Sequence, residues 1–339
     1  MSEEDLLKMS RLYEKFSSIS ITTAGEISIE TSEFTKYDLE DLINLDQKEI
    51  IKLFQEVDLL PLHVSCNICG NQLNKLYFEK DRHPFFRCRR RACRPVQRIS
   101  LYKNTIFDAT KLPISQTLEI LWQFSCRRSN SDTAETLNVS SKTITSFFKL
   151  FRASLSFFID TNSNKIGGDG IIVHVDETVI TTRKYGRGRH RPSNSVWVIG
   201  GVDIHSRKVF LKFLPSRSRS DLYYFLGNFI ERGSIIHTDC LRSYATINEL
   251  GFTHFTVNHS RELITQDGVH TNWIEGMFGA LKRLRRKYES KWTNQSDLNN
   301  FLAEFCFRYG YDGWNRKKAF LKLLGVFKII RSSFDFHFE

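Results

Sequence analysis

The spacing of apolar residues predicts helices in the first half of the chain and strands in the second. Apolar residues recur at helical intervals within residues 37–60, which indicates one or two short amphipathic helices. Residues 111–160 show the same helical pattern. A polar, glycine-containing stretch at 162–170 is typical of a linker, and the β-branched runs of a sheet begin after it.

Strands and helices follow this linker in an order that indicates a fold. Three strands joined by hairpins, followed by units in which a helix crosses between strands, are typical of an α/β, ribonuclease-H-like fold. Such a fold has a mixed sheet with flanking helices. In this order the first and fourth strands are neighbours at the centre of the sheet. The predicted strands are 171–175, 195–202, 208–213, 234–238 and 254–258, and the predicted helices are 219–231, 244–250 and 272–288.

A pair of helices is predicted just before the linker. Residues 132–144 have the pattern of a helix, a short turn and a Ser-capped second helix, which would run from Lys142 to Phe151. In a helix-turn-helix, this second helix would enter the major groove of DNA. Packing inside the domain is the alternative, because many helical hairpins never touch DNA.

Charge separates the beginning of the chain from the rest. Residues 1–60 carry a net charge of −8, whereas the whole chain carries +11 and the remainder therefore +19. A region as basic as the chain after residue 60 indicates a polyanionic partner, which is usually nucleic acid. A charge excess that only improves solubility is the alternative. The sequence has neither an apolar run of about 18 residues nor an apolar signal core. We therefore expect no membrane partner and an intracellular protein, in the nucleus of a eukaryote or the cytoplasm and nucleoid of a bacterium.

Four of the seven cysteines form two close pairs separated by 18 residues. Two pairs at the distance of a β-hairpin predict a tetrahedral thiolate site for structural Zn²⁺, that is, a zinc ribbon. His63 and His83 are alternative ligands, and four free core cysteines are the alternative to a metal site. We expect Cys126, Cys240 and Cys306 to be core residues. The paired cysteines are Cys66 with Cys69, and Cys88 with Cys93.

Basic residues cluster around the second cysteine pair. Residues 82–103 contain eight Lys and Arg and no Asp or Glu, which predicts phosphate contacts, with a solvated basic face as the alternative. A second basic stretch at 183–191 combines Gly and Arg, as in a flexible loop along DNA or an exposed hairpin. The residues expected to contact DNA are Arg89, Arg90, Arg91, Arg94, Lys142, Arg187, Arg189 and Arg286.

Three acidic residues fit one catalytic arrangement. Asp176 ends the first predicted strand and Asp239 ends the fourth, so that their carboxylates would lie side by side and repel. Mg²⁺ or Mn²⁺ between them would relieve the repulsion, because these ions prefer hard oxygen ligands. Glu275 on the last predicted helix is the expected third ligand, and Lys282 lies two turns further along the same side. Ordinary surface or capping roles are the alternative.

Four nearby residues have simpler interpretations. Asp203 precedes a hairpin turn and is expected to form it. Glu177 points to the face opposite Asp176 if the strand continues. Asn272 could supply an oxygen ligand in place of Glu275, although a helix cap is the plainer role. Trp273 could stack on an unpaired base, but a core position is the more common use of such a residue.

Several segments together resemble a known family over about residues 60–325. They are 174–178, 200–203, 237–239, Tyr244, 269–278 and the tail at 298–309. They resemble Merlin-type insertion-sequence DDE transposases, which carry a similar zinc ribbon before the catalytic domain. The resemblance implies that Asp176, Asp239 and Glu275 are the catalytic triad and bind Mg²⁺ or Mn²⁺, and that Lys282 assists.

The implied activity is DNA transposition. The protein would bind terminal inverted repeats, cleave the element ends and join their 3′-hydroxyls to target DNA by two-metal-ion phosphoryl transfer. Two ends must meet, so a homodimer or larger assembly on DNA is expected. A domesticated DNA-binding protein and a ribonuclease-H-like nuclease without strand transfer are the alternatives. The expected regions are an acidic helical segment (1–60), a zinc ribbon (61–110), a helix-turn-helix region (111–162), the catalytic domain (168–292) and a helical extension (293–339).

Overall fold

The chain divides into two units, and the first boundary between them falls after Ser154. Unit 1 combines Met1–Ser154 with Asn315–Glu339, and unit 2 is Leu155–Trp314. The predicted helical extension at 293–339 is therefore shared between the two units. The computed structural model describes residues 3–21, 27–29, 34–80, 82–93, 98–103, 105–108, 112–162, 165–181, 195–258, 264–265, 268–288, 294–310 and 315–333.

Helices and short strands alternate before residue 163, and a longer sheet follows. The earlier elements are α1 (Glu3–Ser17), β1 (Ile19–Ile21), β2 (Ile27–Ile29), α2 (Lys36–Ile43), α3 (Gln47–Glu56), β3 (Val64–Ser65), β4 (Gln72–Leu73), β5 (Leu76–Tyr77), β6 (Phe85–Arg87), β7 (Arg98–Ser100), α4 (Ile114–Ser125), α5 (Asn130–Leu137) and α6 (Ser141–Asn162). The later elements are β8 (Ile172–Thr181), β9 (Ser195–Asp203), β10 (Val209–Leu214), α7 (Arg219–Phe229), β11 (Ile235–Thr238), β12 (Thr253–Thr256), α8 (Asn272–Tyr288), α9 (Gln295–Gly310) and α10 (Arg316–Ser333). Among the described helices, none combines the length and apolar character needed to cross a membrane.

The acidic first sixty residues belong to the core of unit 1. Helices α2 and α3 confirm the prediction for residues 37–60, and each begins with a capping box, at Thr35 and Asp46. The ring of Phe34 stacks on that of Phe320 in α10, with centroids 4.5 Å apart, and lies 5.8 Å from that of Trp122 in α4. This segment is therefore an integral layer of unit 1.

The predicted pair of helices corresponds to α5 and the start of α6. Ser129 accepts a hydrogen bond from the Asp132 N–H and caps α5, which ends at Asn138 in the left-handed conformation (φ 50°). Helix α6 continues to Asn162, beyond the predicted end at Phe151. Apolar residues recur at helical spacing through Ile159, which is buried, and this accounts for the longer helix.

Unit 2 is built on a five-stranded mixed sheet, as predicted. Its strand order is β10-β9-β8-β11-β12, with β8 at the centre. Strands β11 and β12 run parallel to β8, whereas β9 is antiparallel to both β8 and β10. The prediction that the first and fourth strands are central neighbours is therefore confirmed.

Helices α7 and α8 both pack against the sheet. On one face, Val173 and Val175 of β8 join a buried cluster with Leu222 and Leu226 of α7. Helix α8 lies against β8 and β9. Its buried residues are Ile274, Met277, Phe278, Leu281 and Leu284.

Two elements of unit 2 differ from their predictions. Strand β8 does not end at Asp176 but runs to Thr181, because its hairpin pairing with β9 continues as far as Ser195. The predicted helix at 244–250 is instead two short 3₁₀ helices, Arg242–Tyr244 and Ile247–Leu250. The second of these ends at Gly251, whose φ of 85° a residue with a side chain rarely adopts.

Candidate active site and metal centre

The register of the central strands sets the positions of the two aspartates. Strands β8 and β11 pair in parallel with Ile172 opposite Ile235 and His174 opposite His237. Asp176 and Asp239 each lie two residues beyond these histidines. Because side chains alternate along a strand, the same register brings the two carboxylates level and onto one face of the sheet.

A glycine beside Asp176 makes room for the helix that carries Glu275. Gly200 of β9 pairs with Asp176, and a Cβ there would lie 3.0 Å from Met277 Cε and 3.1 Å from Phe278 Cε1 of α8. The missing side chain therefore lets α8 pack against this part of the sheet. Glu275 lies in the first turn of α8 and is exposed.

The three acidic groups interact electrostatically. The pKa of Asp176 is raised to about 7, first by burial and then by the negative charges of Glu177, Asp239 and Glu275. The N–H of Glu177 donates to Asp176 Oδ1 at 2.7 Å and opposes this rise. The Asp239 carboxylate has a backbone partner of its own, because its Oδ1 accepts a hydrogen bond from the Leu241 N–H at 2.9 Å. The three acids that the sequence singled out are thus close enough to interact electrostatically.

The three acids are of the ligand type that a divalent cation prefers. Carboxylate oxygens are hard ligands, and neighbouring carboxylates resist ionisation until a cation offsets their repulsion. Burial is the largest cause of the raised pKa of Asp176, and repulsion from Glu177, Asp239 and Glu275 adds to it. Lys282 and Arg286 are exposed on α8 with Glu275, as its helical spacing predicts.

A buried network behind Asp176 was not predicted from the sequence. Glu177 points to the opposite face of β8, as expected for a continuing strand, and its side chain is fully buried. Its Oε1 accepts a hydrogen bond from the Tyr244 hydroxyl, and its Oε2 pairs with Arg217 Nε at 3.0 Å. Burial is the main cause that raises the pKa of Glu177, and these two partners act against it.

A histidine cluster beside the aspartates was also missed. The rings of His174 and His237 stack with centroids 5.2 Å apart, and His270 packs edge-on against His174 at 4.9 Å. Burial, followed by the charges of the other two histidines, lowers the pKa of His174 to about 3. The sequence held a signal, because His-x-Asp occurs at the end of both predicted strands and positions i and i+2 share a face.

The four paired cysteines of unit 1 lie together and form no disulfide. Their sulfur atoms are all within 4.8 Å of one another, and the Sγ pairs of Cys66 with Cys93 and Cys69 with Cys88 are 3.8 Å apart. Four sulfurs around Zn²⁺ at the usual Zn–S distance would be about 3.8 Å apart. The residues therefore fit a structural zinc ion.

The turn around the first cysteine pair favours a thiolate. Backbone N–H groups of Cys69 and Ile68 lower the pKa of Cys66 to about 7, whereas burial raises that of Cys93 to about 12. His63 and His83 do not belong to the cluster, and His83 instead packs edge-on against Tyr102 at 5.0 Å. Along the chain, the first cysteine pair lies between β3 and β4 and the second between β6 and β7.

The described basic residues predicted to contact DNA are exposed. Arg89, Arg90 and Arg91 lie between the two cysteines of the second pair, and Lys142 lies in the first turn of α6. Arg90 Nη2 donates to Asn71 Oδ1 at 3.0 Å, which joins the two cysteine turns. The basic loop at 183–191, with Arg187 and Arg189, and Arg94 lie outside the described residues.

Three further predictions can be compared with the structure. Asp203 forms the expected turn, because its Oδ1 accepts hydrogen bonds from the N–H groups of His205 at 2.8 Å and Ser206 at 3.0 Å. Trp273 is not a core residue, since it is 36% exposed and Arg207 lies over its ring at 3.4 Å from the centroid.

Cys240 is exposed rather than buried, because it follows the end of β11. Cys306 is buried as predicted, and Cys126 is partly exposed.

Part of the chain matches a known protein family. Residues 166–310 match the family of ISXO2-like transposase domains, a match that covers less than half of the chain and supports an insertion-sequence DDE transposase. No curated protein sequence matches the chain.

Two solved structures resemble part of the chain. One is a chain of the simian T-cell lymphotropic virus intasome in complex with PP2A regulatory subunit B56 gamma. The identity is 16% and the TM-score 0.28, with 46% of this chain and 60% of that chain covered. The other is the HTLV-2 integrase catalytic core domain in complex with magnesium, in its dimeric form. The identity is 14% and the TM-score 0.24, with 41% and 86% covered. The chain thus spans less than two thirds of the first of these relatives.

Proposed function

We propose that this protein is a DDE transposase of the Merlin type, which cleaves DNA at element ends and joins the 3′-hydroxyls to target DNA. One observation supports the proposal: Asp176 interacts electrostatically with Asp239 and Glu275 in a domain that matches ISXO2-like transposases. The positions of these acids depend on the strand register and on the packing of α8 against the sheet. The ribonuclease-H-like interpretation of the mixed sheet belongs to the same proposal.

The three acids would hold Mg²⁺ or Mn²⁺ in this transposase. When bound, a pair of such ions lowers the pKa of an attacking water or hydroxyl and stabilises the leaving oxygen in an in-line displacement at phosphorus. Asp176 and Asp239 would orient the reacting groups from the sheet, and Glu275 would close the site from α8. Lys282, two turns further along α8, would contact a DNA phosphate.

DNA would be held by unit 1 as well as by unit 2. The exposed arginines around the second cysteine pair would contact phosphates of the terminal inverted repeats, and the zinc ion would hold their turn in shape. The first turn of α6, with Lys142, would enter the major groove. Two ends must react together, so the active form would be a homodimer or larger assembly on DNA, in the nucleoid or the nucleus.

A strand-transfer assay tests this proposal. The substrate is a duplex with the inverted repeats that flank the gene, incubated with target plasmid and Mg²⁺ or Mn²⁺. Wild-type protein is expected to nick the ends and join them, and Asp176→Asn to lose both activities by at least about 10³-fold while still binding the duplex. Asp203→Asn is the matched control, because it alters a buried turn-forming carboxylate of the same sheet.

Three other outcomes would contradict the proposal. Retained cleavage by Asp176→Asn would remove the catalytic assignment. Hydrolysis without joining would identify a ribonuclease-H-like nuclease instead. Binding without any cleavage by the wild type would identify a domesticated DNA-binding protein.

A further inference from the structure

We infer that Glu177 is a positioning residue that, through Tyr244 and Arg217, keeps Asp176 and Asp239 at a fixed separation. This inference rests on the proposed function, since it concerns the same group of acids. Glu177 is adjacent to Asp176 but points to the other face of β8, so it takes no part in the group itself. Both of its carboxylate oxygens already have protein partners.

The first link joins the two strands that carry the aspartates. Tyr244 donates its hydroxyl hydrogen to Glu177 Oε1, and it belongs to the 3₁₀ helix that follows Asp239. That helix begins after Leu241, whose N–H donates to Asp239 Oδ1 at 2.9 Å. A continuous series of covalent bonds and hydrogen bonds therefore runs from Asp176 through Glu177 and Tyr244 to Asp239.

The second link fixes the other side of the Glu177 carboxylate. Arg217 Nε donates to Glu177 Oε2 at 3.0 Å, and its guanidinium lies 4.6 Å from the ring centroid of Trp197. Ser243 Oγ donates to the Arg217 carbonyl at 2.9 Å, which ties Arg217 to the same 3₁₀ helix. Glu177 is thus held by two groups that are themselves connected.

Burial makes this network a rigid one. Tyr244 is fully buried and the Glu177 side chain is completely enclosed, so water cannot replace either partner. A buried carboxylate that loses a hydrogen-bond donor must move toward another polar group. That movement would alter the backbone next to Asp176. A metal site that depends on two strand-borne carboxylates is sensitive to displacements of this kind, as groups behind metal ligands generally show.

Binding of Mn²⁺ to the full-length, zinc-loaded protein tests the inference without any need for activity. Free Mn²⁺ is followed by its electron paramagnetic resonance signal during a titration. We expect Tyr244→Phe, which removes only the hydroxyl, to weaken the Mn²⁺ Kd about 10-fold. Tyr223→Phe is the matched control. It removes a partly buried hydroxyl of the same unit, which hydrogen-bonds with Thr246 Oγ1 at 2.5 Å. This variant should bind Mn²⁺ like the wild type.

A second variant keeps the test decisive if Tyr244→Phe does not fold. Arg217 is partly exposed, so Arg217→Gln removes the other partner of Glu177 at less risk to the core. It should also weaken Mn²⁺ binding, and saturating Mn²⁺ should restore cleavage, because the defect lies in affinity. A folded Tyr244→Phe or, failing that, a folded Arg217→Gln with wild-type Mn²⁺ affinity overturns the inference.

The titration also separates this inference from the proposed function. Asp176→Asn is expected to lose the Mn²⁺ site. If wild-type Mn²⁺ binding does not depend on Asp176, both the proposed function and the positioning role fail. If binding depends on Asp176 but is unaffected by the Glu177 partners, only the positioning role fails.

Discussion

The cysteine cluster of unit 1 and the acidic cluster of unit 2 are both candidate ligand sets, but the chain builds them differently. The cysteines come from residues 66–93 and lie on two tight turns, so that short-range geometry brings their sulfurs within 4.8 Å. The acids span residues 176–275, and their placement depends on the shared register of two strands and on a helix that packs beside Gly200.

This difference predicts opposite dependences on metal. The ribbon around the cysteines consists of strands of two or three residues, which are too short to be stable alone. Its fold should therefore depend on zinc. The acidic cluster stands on a sheet with a buried apolar face, so its geometry should persist without a cation and be lost only when the packing changes.

Loss of zinc is expected to produce the largest effect. Cys88→Ser should unfold the ribbon, because structural zinc contributes much of the folding free energy of such small elements. Backbone amides of β6 and β7 should lose hydrogen-exchange protection by at least about 10³-fold, or ~4 kcal/mol, while those of β8 and β11 change little. Exchange followed by mass spectrometry measures both regions in one sample.

The control for zinc loss is Cys126→Ser, a cysteine of the same unit outside the cluster. It should leave the ribbon protected. Equal loss of protection in unit 2 on Cys88→Ser would show that the sheet also depends on the cysteines, and would break the contrast between the two sites.

Gly200→Ala is expected to have the next largest effect, on the acidic cluster. The new methyl group would lie 2.7 Å from Leu211 Cδ2 and 3.0 Å from Met277 Cε of α8, so these side chains, or α8 with them, must shift. We expect a loss of about 3 kcal/mol in the free energy of unfolding, and weaker Mn²⁺ binding because Glu275 moves with α8. Denaturant titration and Mn²⁺ titration measure the two effects.

A second glycine in the same unit provides the control. A Cβ at Gly227 of α7 would have no neighbour within 4 Å, and Gly227→Ala should raise helix stability by about 0.5–1 kcal/mol. Unchanged Mn²⁺ affinity in Gly200→Ala would mean that α8 does not set the position of Glu275.

The sequence predicted candidate ligands for both sites but not what supports them. The cysteine spacing and the strand-end aspartates are local signals: the four cysteines lie together, and Asp176 interacts electrostatically with Asp239. The role of Gly200 depends on a side chain some 77 positions away, Met277, and no short pattern reports such a contact. The Glu177–Tyr244 hydrogen bond is equally distant in sequence, |i−j| being 67.

The sequence also could not predict the lengths of those elements that depend on tertiary contacts. Strand β8 continues past Asp176 because β9 pairs with it along nine positions. The first sixty residues differ from the rest of the chain by their acidic charge, yet the ring of Phe34 packs on aromatic rings of α4 and α10. Charge describes the surface of a segment, whereas its place in a core depends on partners elsewhere in the chain.

The pH dependence of stability is expected to show a smaller effect. The folded pKa of Asp176 is about 7, above the unfolded value of about 3.9. A raised pKa contributes stability that is present below the unfolded value and is lost as pH rises through the folded value. Without divalent cations, wild-type protein should lose about 2 kcal/mol between pH 5.5 and 8 relative to Asp176→Asn, as urea titrations at each pH would measure. Identical pH profiles of the two proteins would show that Asp176 ionises as freely as in water.

The smallest effect is expected at the basic turn of the ribbon, where each arginine would neutralise one DNA phosphate. Replacing Arg89, Arg90 and Arg91 by Ala should reduce the slope of log K against log salt by about 0.9 for each phosphate that is no longer neutralised, equally for any duplex sequence. Fluorescence anisotropy at several salt concentrations measures this slope. Lys36→Ala is the control, since it removes an exposed cation from the acidic segment, where Lys36 pairs with Glu40. Asp176→Asn should keep the wild-type slope, because it changes the acidic cluster only. A triple variant with the wild-type slope would mean that the ribbon does not touch DNA, and the division of binding and chemistry between the two metal sites would be wrong.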